Sequence, residues 1–162
     1  MSTNVQDGFG SWVDDAPLPK STKGRCKVAS IRKEILIDAP PEQVWSALRD
    51  WGALHERLAP GFITDTKLDG NDRIVTFFDG ATVREVLIGL DDDTHRLSWT
   101  IVDGPYTHHN GSAETIADGE DRTRFVWTTD LLPNELATPT EQRMERGINV
   151  IKQNLESAAG RG

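Results

Sequence analysis

Cysteine is nearly absent. Cys26 stands alone among 162 residues, which excludes an internal disulfide and any CxxC metal or redox pair and fits a reducing cytoplasm. Long apolar runs are missing too. Nothing approaches the roughly 18–20 consecutive apolar residues a transmembrane helix requires, so stable membrane insertion is not expected. Positive charge is short: 18 Lys and Arg stand against 26 Asp and Glu, for a net charge of −8. Such a field repels polyphosphates, and no Lys/Arg stripe offsets it, so nucleic acid is not an expected partner. The opening residues, Met1 to Asp15, carry neither a basic nor an apolar block. A secretory signal is therefore not expected, and a cytoplasmic location is. There is no Gly-rich phosphate loop, no GxSxG elbow and no HExxH helix, so neither a cofactor nor a metal is expected.

What is present reads as one globular domain with a different regime in front of it. Residues 1–26 mix Ser, Thr, Gly, Asp, Pro and Lys around Phe9, Trp12 and Val13. They are expected to form a flexible tail, with the alternative that Trp12 folds back over a groove. The domain is expected over residues 27–158, leaving 159–162 as a C-terminal tail. Its first strand runs from Val28 to Asp38, with Ile31, Ile35 and Ile37 among charged residues. Ala39-Pro40-Pro41-Glu42 stops it and opens a short helix, since proline suits a first turn and Glu42 complements the helix dipole. Val44, Trp45, Leu48 and Trp51 recur on one helical face. A second helical piece covers Gly52 to Leu58 and ends at Pro60-Gly61.

Six strand-like runs follow, at about 61–69, 72–78, 82–91, 94–103, 106–117 and 121–131. Asp- and Gly-bearing turns separate them, the punctuation of an antiparallel meander. Thr138-Pro139-Thr140-Glu141 then has the form of a capping box. Met144, Ile148, Ile151 and Leu155 make a single apolar stripe behind it. The helix is expected to reach Ala158, about 28 Å at 1.5 Å per residue. A seven-stranded sheet with one face to bury and a long helix with one stripe to bury satisfy each other if the sheet curves around the helix.

This order of elements, together with Ile37, Ala39, Pro40, Glu42, Val44 and Trp45, resembles the polyketide cyclase/dehydratase-like branch of the START/Bet v 1 (SRPBCC) superfamily. Gly80 to Glu85 with Leu90-Asp91, and Arg124-Phe125-Val126-Trp127, strengthen the likeness over about residues 28–157. The resemblance implies an α+β helix-grip fold: a curved seven-stranded antiparallel sheet around a long C-terminal helix, with two short helices after the first strand. It also implies a cavity between sheet and helix. It does not imply one activity, because fold does not fix function.

Strand alternation nominates the cavity wall. Leu97, Trp99 and Ile101 are expected inward, as are Phe125 and Trp127. Tryptophans there are ordinary core, but core beside a void becomes its wall. Glu85 shares a face with Leu87. The resemblance places it inward as a tentative acid/base, and the alternative is an exposed carboxylate paired with a nearby Arg. On the run 106–117 neither face is conventionally apolar. The resemblance favours Tyr106, His108, Asn110 and Ser112 as inward, with an edge strand facing solvent as the alternative. His108 and His109 point to opposite faces and cannot share one ion, and His55 and His95 lie apart. Candidate ligand contacts are Glu85, Leu87, Trp99, Tyr106, His108, Asn110, Trp127, Met144, Ile148 and Ile151, with His108 and Glu85 as tentative catalytic groups. The leading expectation is a protein that binds a lipophilic small molecule of polyketide, lipid, isoprenoid or quinone type. The turns Asp79-Gly80 and Asp103-Gly104-Pro105 would be its flexible lips. The alternatives are a cyclase/dehydratase-like enzyme, in which Tyr106 or Asn110 polarises a carbonyl, and a protein-interaction module.

Overall fold

The computed structural model describes residues 29–161. Phe9, Trp12, Val13 and Cys26 lie outside the described residues. Strand β1 (Ala29–Ile37) leads into helix α1 (Pro41–Arg49) and a single π-type turn, Leu54–Leu58. Then come β2 (Ile63–Asp69), β3 (Asp72–Phe77), β4 (Thr82–Asp91), β5 (Arg96–Ile101), β6 (His108–Ala117) and β7 (Thr123–Leu132). A 3₁₀ turn over Asn134–Leu136 runs into the long helix α2 (Ala137–Ala159). The seven strands form one antiparallel sheet in the order β1-β7-β6-β5-β4-β3-β2. This is the helix-grip arrangement expected from the sequence.

Helix α1 begins as its prolines dictate, with Pro40 at the cap and Pro41 in the first turn, and it buries Val44, Trp45, Ala47 and Leu48. The start of α2 differs from expectation. The helix opens at Ala137 with Leu136 as its cap, and no side chain caps it. The 3₁₀ turn, closed by Leu136 N–H donating to the Pro133 carbonyl, carries the chain directly into the helix. Thr138 and Pro139 therefore sit inside the first turn, where a missing N–H leaves no bond unmade. The Thr140 hydroxyl lies 2.9 Å from the Tyr106 hydroxyl.

The stripe on α2 buries Met144, Ile148, Ile151 and Leu155 as expected, with Gly147 among them. They split between two apolar clusters. The larger joins Ile148, Ile151 and Leu155 to α1, Leu58, Phe62, Val75, Leu97, Trp99 and Phe125. The smaller joins Met144 to Ile31 and Leu131, with Tyr106 beside it. Trp127 packs against both.

Two features correct the alternation read from sequence. A bulge between Leu87 and Gly89 pairs Leu87 with Trp99 and then Leu90 with Leu97, so Leu90 rejoins the inner face while Ile88 points out. In β6 the inward set is His109, Gly111, Ala113 and Thr115, and His108 is exposed. The register explains the choice: Gly111 lies opposite Trp99, and Ala113 opposite Trp127. Small residues there leave room for two indoles, which turns the polar residues His108, Asn110 and Ser112 to the outer face. A Cβ on Gly111 would sit 2.6 Å from Trp99 Cε2, well inside contact distance.

Gly111→Ala is accordingly expected to lower stability by about 1–3 kcal/mol through overpacking, read as a drop in the urea midpoint with an unchanged slope. An unshifted midpoint would mean that the Trp99 ring moves aside freely.

Candidate functional site

Between the sheet and α2 lies a cavity of about 60 Å³. Its floor is the inner face of the sheet: Val75 and Phe77 from β3, Leu97 and Trp99 from β5, Ala113 from β6, and Phe125 and Trp127 from β7. Ile151 of α2 and Leu48 of α1 roof it, and Leu54, Leu58, Ala59, Phe62 and Ile63 close one side. Among the described residues, the only charged groups in the wall are Arg73 and Glu85.

Those two face each other across β3 and β4. Arg73 donates from Nε and Nη2 to Glu85 Oε2 at 2.7 and 2.6 Å. Its Nη1 donates to the Trp51 carbonyl at 3.1 Å, and its guanidinium lies 3.6 Å from the centre of the Trp51 ring. The Trp51 indole is itself held by donating to the Asn71 carbonyl. Burial pushes the Arg73 guanidinium below its ordinary value and Glu85 works against that shift. The guanidinium stays charged, because arginine starts so high. The cavity thus contains one cation and one anion already spent on each other.

The β3–β4 turn follows Phe77, the last wall residue of β3, and is tied to α2. Arg143 Nη2 donates to Asp79 Oδ2 at 2.7 Å, which holds the Asp79 carboxyl below its usual range. Arg146 lies over the half-exposed Phe78 ring at 3.7 Å. Phe62 packs edge-on to Phe77 and reaches α2 at Gly147, where a Cβ would stand 2.8 Å from its ring.

Of the residues nominated from sequence, Glu85, Trp99, Trp127 and Ile151 stand in the cavity wall. Leu87 and Ile148 belong to the packed core around it, and Met144 and Tyr106 to the smaller cluster. His108 and Asn110 are corrected: they lie on the outer face of β6, His108 exposed and Asn110 half-buried, so neither reaches the cavity. Arg73 and Phe62 were missed. An arginine on a strand reads as a solvent-facing residue, and only the cross-strand register shows that it meets Glu85.

The buried histidine of β6 is His109. Its Nδ1 accepts from the Ile101 N–H at 3.2 Å, and Thr100 Oγ1 donates to the His109 carbonyl at 2.6 Å. Tyr106 lies against the imidazole, with ring centres 5.1 Å apart. Burial pushes the His109 pKa down to about 4, the adjacent His108 adds to the shift and Asp130 opposes it.

Residues 28–159 match the model of a family described as polyketide cyclase / dehydrase and lipid transport. The chain belongs to that family. Among solved structures, a Thermobifida fusca protein is 25% identical, with a TM-score of 0.69 over 82% of this chain and 94% of that one. A START superfamily protein from Mycobacterium smegmatis is 11% identical, with a TM-score of 0.63 over 82% and 97%. Norcoclaurine synthase from Thalictrum flavum, solved with dopamine and hydroxybenzaldehyde, is 17% identical, with a TM-score of 0.61 over 82% and 93%. At these identities the last two bear on fold alone. No curated protein sequence matches the chain. Among the described residues, no helix is long and apolar enough to cross a membrane. The polyketide cyclase/dehydrase family is thus represented here by a ligand-binding fold whose wall is apolar apart from one ion pair.

Removing one member of that pair strands the other. Glu85→Leu is expected to lose about 3–5 kcal/mol of stability, and the double change Arg73→Met with Glu85→Leu to recover most of it. Denaturation of the wild type, the two single variants and the double variant tests this, and additive losses would show that the pair is not coupled.

His109 predicts a pH dependence. Above pH 6.5 it is neutral both folded and unfolded. Between 6.5 and about 4 the unfolded chain takes up a proton that the folded protein refuses. Stability therefore falls as the pH drops through that window, by about 3 kcal/mol in all. His109→Asn leaves an acceptor near the Nδ1 position and removes the titration. Urea midpoints from pH 7 to 4 should fall less steeply in the variant, and parallel curves would remove His109 as the cause.

Proposed function

We propose that this domain binds a neutral, largely apolar small molecule in the cavity between the sheet and α2. The observation that carries the reading is the wall itself: aliphatic and aromatic side chains from eight segments converge on one void, and the two charges in it neutralise each other. Such a lining repels ions and accepts a lipophile. The family and the fold support the same reading without naming a ligand.

The volume adds a condition. A drug-sized guest occupies a pocket of about 300–1,000 Å³, several times the 60 Å³ present here. Binding a lipid, isoprenoid, quinone or aromatic polyketide therefore requires the wall to open. The segment placed to do so is Phe62 with Phe77 and the turn that follows it. Beyond the backbone bonds from Phe78 N–H to the Phe62 carbonyl and from Phe77 N–H to the Ala81 carbonyl, its ties to α2 are an exposed ion pair, Arg143 with Asp79, and ring contacts. Exposed pairs contribute little to stability, so such a closure opens readily. The Asp103-Gly104-Pro105 turn supplies no residue to the cavity wall.

Catalysis has less support. His108 faces away from the cavity, and Glu85 is committed to Arg73. No remaining pair in the wall combines a free base with a free acid. Binding is the function the geometry supports best.

Titration with Nile red, a neutral lipophilic dye, should give saturable, blue-shifted emission with one site per chain. Ala113→Leu places three more carbons in the void and should weaken that binding by about tenfold or more, equivalent to about 1.4 kcal/mol. A wild-type protein that binds neither Nile red nor a panel of fatty, isoprenoid and aromatic-ketone guests would defeat the reading. So would an Ala113→Leu variant that binds as well as wild type.

A further inference from the structure

Trp127 bridges the two apolar clusters and stands in the cavity wall. Its indole Nε1 is buried and has no acceptor among the described residues. The position of the ring gives the donor a direction. At Gly147 the Trp127 atom facing α2 is Cζ3, 3.1 Å from where a Cβ would lie. Cζ3 is para to Cε2, the six-ring carbon bonded to Nε1. The N–H edge is therefore turned away from the helix.

The neighbours explain why none of the described residues accepts from it. The cross-strand partners of Trp127 are Ala113 on β6 and Lys33 on β1. Ala113 offers only a methyl group, and Lys33 carries an ammonium, which donates but cannot accept and which pairs with Glu141 and Glu145 on α2. Trp99, whose ring centre is 6.5 Å away, has no acceptor on its side chain. The Glu85 carboxylate is the one strong acceptor in the wall, and Arg73 holds it. A donor buried in this way is unfavourable unless something brought into the site accepts from it.

We propose that Trp127 is the specificity determinant of the cavity: its indole N–H donates to a neutral carbonyl-type oxygen on an otherwise apolar guest. This rests on the reading of the cavity as a binding site and adds the chemical class of the ligand. Charge narrows the class. With Arg73 and Glu85 already paired, a carboxylate or an ammonium on the guest would enter without a counter-ion. A ketone, quinone or ester oxygen needs none and matches one N–H. A pure hydrocarbon fills the same space and leaves the donor unmet.

The test uses a matched pair of probes, 1-tetralone and tetralin, which differ by one carbonyl oxygen, with the full chain and a Trp127→Phe variant. In the wild type, 1-tetralone should bind about tenfold more tightly than tetralin, the range of one neutral hydrogen bond to a buried donor. It should also move the Trp127 indole N–H resonance downfield in a ¹⁵N-correlated spectrum, while tetralin should not. In Trp127→Phe the ratio of the two affinities should fall to about one, whatever the change in tetralin affinity itself. Equal binding of both probes by the wild type, or an undiminished preference in the variant, overturns the assignment to Trp127 while leaving the cavity reading intact. Binding of neither probe, with Nile red also excluded, overturns both.

Discussion

The distance between α2 and the sheet at Gly147 governs the rest of the interior. Phe62 from one side and Trp127 from the other meet the helix there, with no room for even one more methyl group. A glycine inside a helix costs about 1 kcal/mol relative to alanine, so the position is held by packing and not by helix propensity. The same contact divides the apolar interior. Toward the start of α2, Met144, Ile31 and Leu131 form a filled cluster. Toward its end, α1 and the 54–63 segment hold the helix off the sheet and a void remains. The cavity exists because the helix is pinned at one point and propped at another.

The Arg73–Glu85 pair gives that void its character. Placed across neighbouring strands and braced by Trp51, the two charges cancel without reaching solvent. A hydrophobic pair in the same place would serve stability as well or better. What the ion pair adds is polarity in the wall without net charge. For the binding we propose, that combination suits a guest with a polar atom and disfavours one with a charge.

Much of the architecture was legible from the chain. The prolines at 40 and 41, the Asp/Gly turns and the stripe on α2 each report a local physical requirement, and each sits where that requirement predicts. The site was legible where large side chains alternate, as at Trp99 and Trp127, on the α2 stripe at Ile151, and through the resemblance at Glu85. On β6 the reasoning failed for a definite cause. The inner face of that strand is marked by small residues, Gly111 and Ala113, and their meaning depends on the indoles across the ladder. No pattern within β6 alone contains that information. Gly147 is the same kind of signal, a small residue whose significance lies in its neighbours.

The β5–β6 ladder ends at Trp99 and Gly111, and beyond it two side chains do what the backbone does elsewhere. The His109 imidazole accepts from Ile101, and the Thr100 hydroxyl donates to the His109 carbonyl. The strands part there, and residues 103–106 run outside any strand before Thr107 N–H donates to the Leu132 carbonyl. Chain length can change in such a segment at little entropic expense. Between Asp103 and Tyr106 the fold therefore has a natural place to grow: an added loop would interrupt no ladder and leave the cavity wall untouched.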